Sequence, residues 1–304
     1  MQGFVEQVLT GLANGSLIAV IALGYTLVYG IVELINFAHG DVFMMGCFMA
    51  LTVVLALGTT AASSPAGVVA GILAALLASM LFCAVINTLI DQVAYRRLRE
   101  APRLVPLITA IGMSFILMNL GGFWKGWAPV TFPDILPDIN LLEPLGINFR
   151  FNQLFVILVT VPLLVALQFF VYRTRLGKAM RATAQNADAA RLMGIDTNRT
   201  IATAFFLGGL LAGAAGLVYG LYNEQGYFQL GFRQGLNAFT AAVLGGIGNM
   251  AGAVLGGLII GIVEALTAYY LAQALGPAAV FAALILIILF KPSGLLGENV
   301  PEKV

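Results

Sequence analysis

The side chains with chemical capacity are few, and they stand where long apolar runs are interrupted. One such place is Asn36-Phe37-Ala38-His39-Gly40-Asp41, between Glu33 and the apolar run that opens at Val42. A second is Gly245, Gly246 and Gly248 with Asn249, and a third is the carboxylate Glu264 within the run from Gln234 to Phe290. An ionisable group at membrane depth is costly against lipid, so such residues mark a solute pathway or an internal polar pair. On residue types alone, Asn36 to Asp41 also fits a short turn in which Asn36 or Asp41 caps the next helix. Glu264 divides in the same way between pathway and structural pairing. His39 is the only histidine and has no companion nitrogen or sulfur ligands in a metal-site spacing, so no metal is expected. A Ser/Thr-terminated phosphate loop, a nucleophile elbow, a dinucleotide fingerprint and a metalloprotease helix are all missing from the sequence, so neither catalysis nor a cofactor is expected. A channel filter of the usual backbone-carbonyl type is missing too.

The elements that must position these residues follow from composition. Of 304 residues, 60% are hydrophobic and 10% charged, against about 45–50% and about 25% in soluble domains. Charge-free stretches run from Gln7 to Val32, Val42 to Leu57, Ala66 to Ile90, Leu104 to Trp124, Phe151 to Tyr172, Thr200 to Asn223 and Gln234 to Phe290, the last broken only by Glu264. Backbone groups in lipid must be satisfied within the segment, so these are helices. The fold class expected is all-α, a polytopic transmembrane bundle of about eight or nine spans, with broken or re-entrant helices at the two glycine- and asparagine-bearing interruptions. The second stretch is marginal in length without Phe37 to Gly40, and the last is long enough for two or three crossings. No cleavable signal is expected, because the first apolar stretch lacks a basic leader. A net charge of +1 gives no footprint for nucleic acid; membrane lipid is the expected surrounding partner. Cys47 and Cys83 lie in apolar runs and read as small core residues.

Ten of the fifteen Lys and Arg residues fall in two loops, Tyr95 to Arg103 and Arg173 to Arg199, which places both on the cytoplasmic side. Two spans lie between them, and the Pro-rich, weakly acidic loop from Lys125 to Arg150 falls outside. Three spans before Tyr95 then put the N-terminus outside, while Lys291 and Lys303 suggest a cytoplasmic C-terminus. Glycines recur at four-residue spacing, as in Gly209 with Gly213, Gly216 with Gly220 and Gly257 with Gly261, a pattern that lets helix backbones approach closely.

The loop 173–199 is polar yet rich in alanine, which predicts a pair of short surface helices. Within it, Asp188-Ala189-Ala190-Arg191-Leu192-Met193-Gly194 resembles the E-A-A-x-x-x-G loop of bacterial ABC-importer permeases, with Asp for Glu. Together with Asn14-Gly15-Ser16, Ala22 to Gly30, Ile35-Asn36-Phe37-Ala38-His39-Gly40-Asp41 and Ala241 to Gly248, the chain over nearly its whole length resembles the high-affinity branched-chain amino acid permeases of the LivH type. The resemblance implies a single permease domain over 1–304 in the bacterial inner membrane. It implies as partners a second permease subunit of the LivM type, two cytoplasmic ATP-binding subunits that carry the ATP hydrolysis, and a periplasmic substrate-binding protein. Loop 173–199 would be the coupling element, with Arg181, Asp188, Ala189, Ala190 and Gly194 engaging the ATPases. Asn36, Phe37, His39, Gly40, Asp41, Gly245, Gly246, Gly248 and Glu264 would line the translocation pathway. The same scaffold could carry another amino acid, urea or short amides. From a different class, a stand-alone channel or ion-coupled carrier would use Glu33, Asp41, His39 or Glu264.

Overall fold

A computed structural model describes residues 2–32, 34–60, 62–99, 101–102 and 104–297. Glu33, Arg103 and Lys303, singled out above, lie outside the described residues. The chain runs through α1 (Gln2–Val32), α2 (Ala38–Ala56), α3 (Pro65–Ile90), α4 (Leu104–Lys125), α5 (Phe151–Arg173), α6 (Arg175–Gln185), α7 (Ala187–Leu192), α8 (Thr197–Asn223), α9 (Leu230–Gly245), α10 (Met250–Tyr270) and α11 (Gly276–Phe290). Eight segments are long and apolar enough to cross a membrane. A multi-pass all-α membrane protein is the result. Among the described residues the strands are β1 (Val130–Thr131) and β2 (Gln225–Gly226), which pair antiparallel.

Two faces are defined by contacts between loops. On one, Arg99 donates to Asn198 Oδ1 at 2.8 Å, joining the two Arg-rich loops. On the other, β1 pairs with β2, and the Asn148 amide donates to Glu6 near the start of α1 at 2.8 Å. The start of α1 therefore shares a face with the Pro-rich loop, opposite the basic loops. The long final run is divided by turns into α9, α10 and α11. At 16 residues α9 is about 24 Å long, short for a span. It nevertheless joins opposite faces: β2 precedes it on the face of the Pro-rich loop, while its last carbonyls, Leu244 and Gly245, accept from the Leu295 and Leu296 amides beyond α11 at 2.8 and 2.9 Å. Counting α9 gives nine passages of the chain.

Burial sorts the helices into a centre and a shell. The centre is α1, α2 and α8, and the most extensive helix contact is α1 on α10. Glycine makes these contacts possible. Gly257 meets the Ala19 backbone and Gly261 that of Gly11 and Gly15; Gly213 and Gly209 meet Ser79 and Cys83 on α3; Gly216 meets Phe43 and Cys47 on α2. Without a hydrophobic drive between helices in lipid, this close approach supplies the packing attraction. Cys47 and Cys83 are both buried, as small core residues should be.

Candidate functional site

The segment between α1 and α2 is the first polar interruption, and α2 begins at Ala38, so His39, Gly40 and Asp41 belong to the helix rather than to a preceding turn. Neither Asn36 nor Asp41 caps it: the residue before α2 is Phe37, with no side-chain cap bond. Asn36 instead turns inward. Its Nδ2 donates to Asn87 Oδ1 at 3.3 Å, its Oδ1 accepts from Tyr95 Oη at 2.7 Å, and Asn87 Nδ2 donates to the Phe205 carbonyl at 2.6 Å. This network ties the α1–α2 junction to α3, to the π-helical turn Asp91–Tyr95 that extends it, and to α8. Amide side chains at this depth must find partners. Asn87→Leu removes one and strands the other, costing about 1–3 kcal/mol; a lowered thermal midpoint of the detergent-solubilised protein, with normal membrane insertion, is the expected result.

His39 and Asp41 point to different neighbours. The His39 ring fills the space left by Gly24 and stands edge-on to Tyr25, with centroids 4.9 Å apart. Asp41 is fully buried and its Oδ2 accepts from Ser114 Oγ on α4. It sits in the first turn of α2 and against Gly231 in the first turn of α9, where the positive ends of two helices favour a carboxylate. Gly40 packs on the backbone of Gly231 and Gly235, and Phe37 lies 5.9 Å from Phe239. The first interruption and α9, including the Asn237-Ala238-Phe239 stretch, thus meet in space.

Two cavities flank this junction. The larger, about 840 Å³, is mostly apolar and is lined by Tyr25, Phe37, Ser114, Phe115, Phe232 and Leu236. The second, about 450 Å³, is polar and is lined by Asn14, Tyr219, Asn223, Gln234 and Glu264. Arg233 borders both. Its guanidinium stands 4.0 Å from Glu264 Oε1, and Asn237 Nδ2 donates to Glu264 Oε2 at 3.4 Å. Both volumes fall in the range of about 300–1,000 Å³ used for small ligands.

Of the residues singled out in the sequence, Phe37 lines the large cavity, Gly40 and Asp41 stand behind its wall, and Glu264 lines the polar one. Asn36 and His39 are buried in the supporting network. Gly245, Gly246 and Gly248 are brought to neither cavity. They form the turn from α9 into α10, where Gly246 (φ 105°) takes a left-handed conformation open to glycine. Asn249 caps α10 through the Gly252 amide at 2.9 Å and donates to the Leu296 carbonyl at 2.8 Å, which makes it a helix cap.

The loop 173–199 folds as the expected short helix pair. Thr174 caps α6 through the Gly177 amide, Asn186 caps α7 through those of Asp188 and Ala189, and Asp196 caps α8 through that of Arg199. Gly194 (φ 81°) ends α7, with the Ile195 amide donating back to the Ala190 carbonyl at 3.0 Å. Ala190 faces inward, Asp188 is exposed and pairs with Arg191 at 3.2 Å, and Arg181 lies over the Tyr172 ring at 5.1 Å. Leu192 and Met193 project outward, 89% and 82% exposed.

Comparison with known proteins places this architecture. The family described as the permease component of the branched-chain amino acid transport system matches residues 7–290. The chain is 38% identical to the high-affinity branched-chain amino acid transport system permease protein LivH of Escherichia coli, over 99% of this chain and 98% of that one. It is 39% identical to the corresponding protein BraD of Pseudomonas aeruginosa over the same shares, and 30% identical to a probable LivH of Methanocaldococcus jannaschii, covering 93% and 90%. The chain belongs to this permease family. No solved structure matches it. As a transport permease, it is not an enzyme.

Three residues of the candidate site and its supporting network escape a reading of charge-free runs. Ser114 is an unremarkable serine in a span until Asp41 is placed opposite it. Asn87 sits near the end of a long apolar run with nothing local to mark it. Arg233 falls one residue before the run that opens at Gln234. The signal available was its four-residue spacing from Asn237, which puts both on one helical face.

Proposed function

We propose that this permease is one half of the membrane pathway of an ATP-driven importer that moves branched-chain amino acids across the bacterial inner membrane. Its partners are a second permease of the LivM type, two cytoplasmic ATP-binding subunits that hydrolyse ATP, and a periplasmic substrate-binding protein. The single domain 1–304 contributes the apolar and polar cavities around α9 to the pathway, with Phe37, Gly40, Asp41 and Glu264 at or behind their walls. Asn36 and His39 hold the α1–α2 junction in place, and Gly245, Gly246 and Gly248 set the end of α9. The segment from Arg181 to Gly194, including Asp188, Ala189 and Ala190, carries the movement of the ATPases to the spans. The observation that supports this reading most is similarity to LivH and BraD along almost the entire chain.

The experiment is to tag the chain in its native membrane, solubilise it gently and identify what copurifies, then to reconstitute the complex and follow labelled leucine. Recovery of two ATPases and a second permease, with ATP-dependent leucine uptake that excess isoleucine or valine suppresses and urea does not, is expected. Recovery of the chain alone, with proton- or sodium-dependent flux, would replace the importer with an ion-coupled carrier.

A further inference from the structure

A free amino acid carries a carboxylate and an ammonium on one carbon. One arrangement that holds both inside a membrane protein is a cation and an anion within a few ångströms of each other, not closed on one another. The Arg233–Glu264 pair has this form. The two charges stand 4.0 Å apart, longer than the roughly 2.7–2.9 Å of a closed charge-assisted hydrogen bond. The same chain shows what a closed pair looks like: Arg99 meets Asp91 at 2.6 Å, with side chains 14% and 1% exposed. The Arg233 side chain is 51% exposed. It lies on the seam of α9, where Phe232 and Leu236 face the apolar cavity and Gln234 faces the polar one. Asn237 holds the other oxygen of Glu264, which fixes the anion while the guanidinium keeps donors free. A planar guanidinium suits a carboxylate, which it binds through two parallel hydrogen bonds.

We propose that Arg233 and Glu264 hold a free amino acid during passage, with Arg233 on its carboxylate, Glu264 on its ammonium and its aliphatic side chain in the cavity walled by Phe37, Phe115, Phe232 and Leu236. The proposal rests on the importer reading and adds to it the groups that recognise the zwitterion. The polar cavity accommodates the charged end and the apolar one the side chain, so the pair also sets the direction in which the solute lies.

The test uses the assembled importer in proteoliposomes, with leucine-loaded binding protein outside and ATP inside, and reads leucine moved per ATP hydrolysed. Arg233→Gln and Glu264→Gln are each expected to lower that ratio at least tenfold, and Arg233→Lys to recover part of it. The exchanged variant, Arg233→Glu with Glu264→Arg, separates this role from a structural one. It restores a pair of opposite charges but turns the zwitterion around, so assembly is expected to be normal and the ratio to stay low. Recovery of the ratio in the exchanged variant, or an unchanged ratio in both single variants, would overturn the proposal. Absence of ATP-driven leucine uptake in the unsubstituted complex would instead remove the importer reading on which it stands.

Discussion

Gly261→Leu is expected to lower the amount of folded protein in the membrane severalfold and to lower the thermal midpoint of what remains. A β-carbon at 261 would collide with the Gly15 amide nitrogen and the Gly11 carbonyl oxygen, both backbone atoms of α1. The reverse side is equally tight: a β-carbon at Gly15 would lie 2.7 Å from Leu258 Cα, and one at Gly11 would lie 2.7 Å from Ile262 Cα. Four glycines, two on each helix at four-residue spacing, therefore interlock. No rotamer relieves such a contact, since only separation of α1 from α10 would, and that is the most extensive helix pair in the molecule. The cost reaches or passes the roughly 3 kcal/mol upper end of ordinary overpacking, within a total stability of about 5–15 kcal/mol. Immunoblots of membranes and the thermal midpoint of the solubilised protein measure it; normal amounts with an unshifted midpoint would refute the packing account. Gly257→Ala, whose added carbon meets Ala19 at 2.6 Å, is expected to lower the midpoint while leaving some protein in the membrane.

Leu192→Asp combined with Met193→Asp is expected to abolish ATP-driven uptake, by a hundredfold or more, with no change in the stability of the permease itself. Both side chains lie almost wholly in solvent at the end of α7, so the change removes little packing within the chain. Large apolar side chains held out in this way are unusual on a surface that has no partner. Here they stand on a helix rigidly capped by Asn186 and closed by Gly194. Under the proposed docking of this segment on the ATPases, two carboxylates at an apolar contact would be buried and unpaired, at several kcal/mol. Copurification of ATPases with the doubly substituted protein, in normal yield and with normal uptake, would show that the tip does not dock. Asp188→Lys is expected to act in the same direction but less strongly, because Asp188 is exposed and already paired with Arg191.

Much of the fold is legible in the sequence because lipid leaves a chain few options. Charge-free runs mark the helices, and their boundaries agree with α3, α4, α5 and α8 to within a few residues. Departures occur where a helix contains polar residues. The start of α2 is hidden by His39 and Asp41, which read as a turn when their partners on α1, α4 and α9 are not in view. Similarly, α9 begins before Gln234, at Leu230, and carries Arg233 at the end of its first turn. The glycine pattern on α10 was visible, but its counterpart, Gly11 with Gly15, only acquires meaning once α1 lies against it. The short helices of loop 173–199 are legible from alanine content, whereas the coupling role proposed for it comes only from the resemblance of Asp188 to Gly194 to a known loop; the two exposed side chains at its tip lie within that motif. The Arg233–Glu264 juxtaposition was not legible, since 31 positions of sequence separate residues that helix packing brings together, and no periodicity spans them.

The sorting of the helices into centre and shell has a consequence for biogenesis. Synthesis delivers α1 and α2 first, yet these are among the helices most enclosed in the finished protein, while the later α11 is among the least. Within α2, Asp41 enters the bilayer before the chain has made its receptor Ser114, 73 residues further on, and long before α9 brings Gly231 against it. A carboxylate and an imidazole in one early span resist partition into lipid. The enclosure of these two spans is therefore completed only by helices made after them, α4, α8 and α9 among them. Synthesis thus runs from the enclosed α1 and α2 to the peripheral α11, and the groups that receive Asp41 all follow it in the chain.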